Sequence, residues 1–382
     1  MTDFLRQARP GVRHLAPYQP GKPVEELQRE LGLTRVVKLA SNENPLGPSP
    51  KALEAMRQAL TAAPAELGRY PDGNGYVLKE AIRRRFGWAH ERVTLGNGSN
   101  DVLELVARAF LGEGDDAIYA QHAFAVYPLA VQAVNARGIE VPAKDHGHDL
   151  PAMAAAVTPA TKVIFLANPN NPTGTWFGAD EFAAFMAAVP AQVIVVLDEA
   201  YCEFVSDPDA LDGFAVLDRH PNLIVSRTLA KAYGLAMLRV GYAVASAEIT
   251  GILNRVRQPF NVNSLALAAA AAAIADDEFV TRSRALNDAG RRQWLDGLSA
   301  LGLNAIPSRG NFLCVDMGRP AAPLFQALLR EGVIVRPVAA YGLPDHLRIS
   351  IGTAEENAFA LDALARVLAA SADAATPAGA RA

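Results

Sequence analysis

From about residue 76 onward the chain alternates between segments of helical apolar spacing and short runs rich in β-branched residues. The runs are Val93–Leu95, Ala117–Gln121, Ile139–Pro142, Lys162–Ala167, Val193–Asp198, Leu223–Ser226 and Val240–Val244. Several are nearly continuous in apolar residues, the pattern of strands covered on both faces. Helical segments between such runs predict an α/β fold, a mostly parallel seven-stranded sheet flanked by helices. After Ile249 the pattern is helical to about Leu301. It then reads as strand Phe312–Met317, helix Leu324–Glu331, and strands Val333–Arg336 and Leu347–Ile351. That order predicts a smaller α+β unit, closed by a helix over Glu355–Ala369.

The ends read differently. Before residue 45 there is one short helical pattern, Pro23–Leu31, and three prolines keep Pro17–Pro23 extended. Ser41–Pro50 is a loop. Ser49 is placed to cap a helix that starts at Pro50 and runs to about Leu60. The expected division is an N-terminal arm over 1–45 that joins the smaller unit, a large domain over 46–260, and a small α+β domain over 261–370. The segment 371–382, mostly Ala, Pro and Gly, is expected to be disordered.

Composition narrows the function. The 382 residues are 51% hydrophobic and 20% charged, enough for a large core, and the net charge of -4 offers no basic excess for nucleic acid. No apolar run reaches membrane-spanning length; Ala266–Ala275 is short and Ala-rich, which favours a buried helix. Met1–Pro10 lacks an apolar signal core, and two cysteines, Cys202 and Cys314, make no disulfide framework. A reduced, cytoplasmic setting follows as the expectation.

Four features fall at the ends of the expected strands, where open α/β sheets bind ligands. Gly96-Asn-Gly-Ser-Asn-Asp101 precedes a helix whose free N–H groups suit a phosphate. Asn168-Pro-Asn-Asn-Pro-Thr-Gly174 fixes one backbone path and aims the amide of Asn171 over the strand ends. Asp198 closes an apolar strand, where a carboxylate needs a cationic or hydrogen-bonding partner, and Tyr201 offers a phenol nearby. In Ser226–Arg239, Lys231 sits among Ala, Gly and Leu, so desolvation should lower its pKa and make it a nucleophile. Thr228 and Arg239 in the same stretch suit a phosphate. A phosphate site, a carboxylate for a ring nitrogen, a phenol, an amide and an amine together describe pyridoxal 5'-phosphate held on a lysine. His146, His148 and Asp149 read as a solvated polar loop rather than a metal cluster. Cys202 reads as a buried small residue, and Arg83–Arg85 as a solvated helix face.

The ordered set resembles the fold type I aminotransferases, classes I and II, over residues 12–369. Ala16–Lys22, Lys38–Pro48, Arg69–Gly75 and Gln121–Pro128 are similar to the histidinol-phosphate aminotransferases within that group. The resemblance implies that Lys231 carries the cofactor and moves the proton. It also implies that Asp198 holds the ring nitrogen, that Tyr201 and Asn171 hold the ring oxygen, and that Phe124 stacks on the ring. Gly98, Ser99, Asn100, Thr228 and Arg239 would hold the phosphate, with Tyr70 reaching it from the other subunit of a homodimer. Arg336, Arg348, Tyr18 and Asn100 would face the substrates. The implied reaction is transamination between L-histidinol phosphate and 2-oxoglutarate in histidine biosynthesis. An aromatic amino-acid aminotransferase and a threonine-phosphate decarboxylase are the alternatives on the same fold. Ala230 departs from the serine that many relatives carry before the lysine, which removes one phosphate hydroxyl.

Overall fold

The computed structural model describes residues 4–17, 21–62, 64–207 and 210–375. Strand β1 is Val37–Lys38. Strands β2 Val93–Gly96, β3 Asp116–Ala120, β4 Arg137–Val141, β5 Thr161–Ala167, β6 Ile194–Asp198, β7 Leu223–Thr228 and β8 Gly241–Val244 correspond to the seven apolar runs. They form one seven-stranded sheet in the order β2-β8-β7-β6-β5-β3-β4. Its strands are parallel except β8, which runs antiparallel to both β2 and β7.

The apolar runs are explained by the packing. Within β5, Ile164 and Leu166 enter one core cluster while Val163 and Phe165 enter the other. Alternate side chains therefore leave on opposite faces, and helices cover both. Burying each such Val, Leu, Ile or Phe contributes roughly 1.5–3 kcal/mol, so the sheet forms the rigid base of the site.

The remaining strands are β9 Asn304–Ile306, β10 Phe312–Asp316, β11 Val333–Ile334, β12 Arg336–Val338 and β13 Leu343–Ser350. A four-stranded antiparallel sheet runs β12-β13-β10-β9, and β1 pairs parallel with β11. The N-terminal arm thus joins the smaller unit through Val37 against Val333. Strand β9 and the one-turn helices Phe4–Gln7 and Pro10–Arg13 are additions to the pattern read from sequence.

The Ala-rich stretch is a buried helix, as expected, while the last helix is longer than expected. The Ala-rich helix Ser264–Ile274 buries Ala266, Ala269, Ala270 and Ala273 in the core of the seven-stranded sheet, against the helices Pro50–Thr61 and Tyr76–Phe86. Its small side chains permit that close approach. The last helix runs Ala354–Ala375, several residues beyond Ala369, because the alanines that lack bulk for a core still favour helix. The rest of the expected disordered tail, 376–382, lies outside the described residues.

Candidate active site

Ala167, Asp198 and Thr228, the last residues of β5, β6 and β7, line a cavity of about 190 Å³. Ser99, Asn100, Phe124, Asn171, Tyr201 and Lys231 line the same cavity, and so do Arg239, Arg336 and Arg348. One fold edge therefore gathers residues spread along most of the chain.

Asp198 is held from one side only. The Tyr127 hydroxyl donates to its Oδ2 at 3.0 Å, and Oδ1 is buried with no hydrogen-bond partner. Burial raises the carboxyl to about 6, opposed by the Tyr127 hydrogen bond and the nearby Ala200 N–H. Tyr127 is itself fixed, stacked on Phe165 at 5.0 Å and meeting Phe124 edge-on at 5.9 Å.

Burial acts on Lys231 in the opposite sense. Its Nζ donates to the Ser41 carbonyl at 3.1 Å. Burial lowers its pKa to about 8, helped by Arg348 and Arg239 and opposed by Glu43 and Asp198. An amine in that range is part neutral near pH 8, as a nucleophile or proton carrier requires.

Tyr201 is buried, edge-on to Phe312 at 5.1 Å, and its hydroxyl accepts from Asn42 Nδ2 at 3.0 Å. Burial pushes the phenol up to about 12, so it stays neutral and keeps a proton to donate. Asn42 is anchored in turn: Ser350 Oγ donates to its side chain at 2.9 Å, and Asn311 donates to its carbonyl at 3.0 Å. Asn171 Oδ1 accepts from Arg348 Nη1 at 2.6 Å, which leaves the amide nitrogen as the free end. Arg348 also reaches the Ala40 carbonyl at 2.5 Å, while its Nε is buried without a partner. The turn that presents Asn171 is tied back to the sheet by Asn168 N to the Asp198 carbonyl at 3.0 Å.

The far end of the cavity is shaped for an anion. The helix Ser99–Phe110 begins without a side-chain cap, so its first N–H groups stay open. Gly98 has φ 82°, and a Cβ there would lie 2.3 Å from Arg239 Nη2. A Cβ on Gly241 would lie 2.5 Å from Ser99 N. Both glycines are thus required by close approach, and they bring the Arg239 guanidinium beside the helix start. Thr228 Oγ1 accepts from Ala230 N at 3.2 Å and keeps its own proton for a ligand.

Among the described candidates, Gly98 and Tyr70 do not themselves line this cavity. Tyr70 is 83% exposed and stacks on Phe260 at 4.8 Å. Tyr18 lies outside the described residues. Three residues that the sequence reading did not single out contribute to the site, namely Tyr127, Ser41 and Asn42. Each lies inside a stretch already noted for resemblance, and that placement was the available signal.

The loop 145–149 is not wholly solvated, which corrects the sequence reading. His148 Nε2 accepts from Ala167 N at 3.2 Å, its ring meets Phe177 edge-on, and burial pushes it down to about 4. A neutral imidazole here finishes the hydrogen bonding of β5. Asp149 caps the helix Leu150–Ala155 through Ala152 N at 3.1 Å. No group of residues suited to a metal ion occurs among the described residues.

Residues 34–364 match the model of the family described as aminotransferase class I and II. The chain is 62% identical over 371 residues to "Histidinol-phosphate aminotransferase 2" of Pseudomonas aeruginosa, covering 97% of this chain and 100% of that protein. It is 58% identical over 363 residues to the protein of that name from Ralstonia nicotianae, covering 94% of this chain and 96% of the relative. The solved histidinol-phosphate aminotransferase of Sinorhizobium meliloti in complex with pyridoxal-5'-phosphate superposes with a TM-score of 0.86 at 30% identity, over 95% of this chain and 97% of that one. Thermus thermophilus aspartate aminotransferase with maleate shares the fold, with a TM-score of 0.78 at 24% identity over 91% of this chain and 97% of that one. With the carboxylate, phenol, amide and amine gathered at the ends of the central strands and these likenesses spanning nearly the whole length, the chain belongs to the aminotransferase class I and II family.

Proposed function

We propose that this protein is a pyridoxal-5'-phosphate-dependent aminotransferase that exchanges the amino group between L-histidinol phosphate and 2-oxoglutarate, a step of histidine biosynthesis. The observation that carries the reading is the buried, unpartnered Oδ1 of Asp198 in the same cavity as the Lys231 amine. The relatives bearing the histidinol-phosphate aminotransferase name support the choice of substrate, at identities of 62% and 58%.

The residues present fit the cofactor. Asp198 Oδ1 lacks the donor that a pyridine N–H supplies, and burial of a lone carboxylate is costly until such a partner arrives. The open helix start, Thr228 and Arg239 would hold the phosphate, with Gly98, Ser99 and Asn100 in that turn. Tyr201 and the free amide nitrogen of Asn171 would hold the ring oxygen, and Phe124 would cover one ring face. When bound, the cofactor supplies a cationic ring that takes up the electron pair left on the substrate carbon.

The chain's own groups divide the remaining work. Asp198 keeps a proton on the partner nitrogen by offering it a carboxylate. The Lys231 amine, freed when substrate takes its place, accepts the α-proton and returns it; its lowered pKa suits that exchange. The neutral Tyr201 hydroxyl would hydrogen-bond the ring oxygen and steady its charge without giving up the proton. Arg336 and Arg348 stand opposite each other on β12 and β13 and would bind the substrate phosphate or carboxylates. Tyr18 and Asn100 are assigned to the substrate side as well.

Two broader proposals accompany this reading. Tyr70, exposed on its own protomer, would complete the phosphate site of a second copy, which makes the enzyme a homodimer. Both cysteines are free thiols, which suits a reduced, cytoplasmic setting. Among the described residues no helix is long and apolar enough to cross a membrane. We further place the passage from the large to the small unit inside the helix Asp277–Ala300 rather than at 261, since Ser264–Ile274 packs with the larger core.

A substrate panel on the cofactor-loaded enzyme tests the function. Histidinol phosphate with 2-oxoglutarate should turn over fastest and release glutamate. Faster turnover of phenylalanine would favour the aromatic alternative. Carbon dioxide release from threonine phosphate without a keto-acid acceptor would favour the decarboxylase.

A further inference from the structure

A second cavity of about 310 Å³ lies behind the Asn168–Pro169 turn, and Pro169 lines both it and the active-site cavity. Its charged lining consists of four arginines and four carboxylates. Three of the arginines already have carboxylate partners, and Arg227 is shared between Asp212 and the buried Glu199. Arg85 meets Asp277 at 2.6 Å, Arg227 meets Asp212 at 2.7 Å, and Arg309 meets Asp207.

Arg284 and Glu203 are left over. Arg284 Nε donates to the Glu203 backbone carbonyl at 2.8 Å, so the two residues are neighbours. Among the described residues, the two terminal nitrogens of Arg284 make no hydrogen bond or ion pair, and Glu203 Oε2 is buried without a partner. The rest of the wall is mixed: Phe86, Trp176, Phe177, Leu211 and Val280 form an apolar side, and Asn168, Cys202 and Tyr233 are polar members. A simple anion would satisfy Arg284 and leave Glu203 facing like charge. A simple cation would do the reverse. A ligand that carries both charges on one small end, with an apolar remainder, satisfies all three surfaces.

We propose that this cavity binds an apolar α-amino acid, its ammonium on Glu203, its carboxylate on Arg284 and its side chain against the aromatic wall. The site is coupled to the active-site cavity by short covalent paths. Glu203 belongs to the single turn Cys202–Phe204 that follows Tyr201, and Pro169 is two residues from Asn171. Occupancy therefore shifts the phenol and amide that face the first cavity, and alters turnover without competing for substrate.

The test is calorimetry on the cofactor-loaded enzyme with α-methyl-L-phenylalanine, an apolar α-amino acid with no α-proton to lose. The wild type should bind it. Glu203→Gln and Arg284→Met should each weaken binding by about tenfold or more, the loss of one charge-assisted hydrogen bond. Arg348→Lys, in the active-site cavity, should leave the affinity unchanged. Turnover without the probe should stay within about twofold of wild type in Glu203→Gln and Arg284→Met, because neither touches substrate. No binding to the wild type overturns the proposal. So does binding that Arg348→Lys abolishes while Glu203→Gln and Arg284→Met retain it, since the probe is then in the active-site cavity. If one cavity variant does not fold, the other decides. Binding is read as heat, independent of turnover, so the outcome stands apart from the identity of the transamination substrates.

Discussion

Two carboxylates sit side by side at the end of β6 and meet opposite surroundings. Asp198 follows the face of Val196 and opens on the active-site cavity, with one oxygen unpartnered. Glu199 follows the face of Leu197 and is satisfied by its own protein. Its Oε1 accepts from Gly213 N at 2.7 Å, and its Oε2 accepts from Arg227 Nε at 2.9 Å. Arg227 in turn lies 3.7 Å above the centre of the Phe214 ring. Burial raises the pKa of both carboxyls, but only Glu199 has an internal cation in hydrogen-bond contact. The difference teaches how to read a buried acid. One with a complete set of partners holds the fold, and one with an open oxygen is kept for a ligand.

Substitution should separate the two roles, and the largest effect falls on the cavity side. Asp198→Asn should lower kcat about 10²- to 10³-fold, the scale for removing one preorganised electrostatic group, measured with saturating cofactor and substrate. The same change should stabilise the cofactor-free protein. The folded pKa of Asp198, about 6, lies above its ordinary value of 3.8, so the fold prefers the protonated form. The Asp198 contribution is therefore fully present below pH 4 and is lost as pH rises through 6, by about 2–3 kcal/mol; the asparagine variant escapes that loss, so the stability gap between the two proteins should widen from pH 4 to pH 8. Denaturant unfolding of both cofactor-free proteins at pH 4 and pH 8 reads it directly.

On the interior side, Glu199→Gln should remove about 3–5 kcal/mol of stability by leaving Arg227 short of its buried partner. The folded fraction should keep kcat within a few-fold of wild type, since Glu199 does not line the cavity. A collapse of kcat in folded Glu199→Gln would erase the distinction between the two acids. Tyr127→Phe should have the smallest effect. It removes the hydrogen bond that lowers the Asp198 pKa, so the acid limb of the pH–rate profile should move to higher pH, with kcat at pH 7 reduced about tenfold or less. An unmoved acid limb would mean that Tyr127 does not govern Asp198.

The legible parts of the site are those where the chemistry lies in one short stretch. Asp198 with Tyr201, Lys231 with Thr228 and Arg239, and the turns 96–101 and 168–174 each carry their signal locally, and their strands are marked by continuous apolar runs. The supporting residues carry no such mark. Tyr127 reaches Asp198 across 71 positions, Asn42 reaches Tyr201 across 159, and Ser41 reaches Lys231 across 190. Only the folded chain pairs them. His148 was misread because a polar loop gives no sign that one of its rings will turn inward to accept from β5. The Ala-rich tail was cut short for a related reason: apolar periodicity measures packing, whereas alanine extends a helix by backbone propensity alone.

The central claim is that one cavity joins the Lys231 amine to a ring held by Asp198. Borohydride reduction of the cofactor-loaded protein, followed by peptide mass mapping, tests it most directly, because reduction makes a lysine–cofactor bond permanent. The account predicts a single pyridoxyl group on Lys231, and much weaker labelling at that position in Asp198→Asn at limiting cofactor. A label on another lysine, or none on the active enzyme, would contradict it.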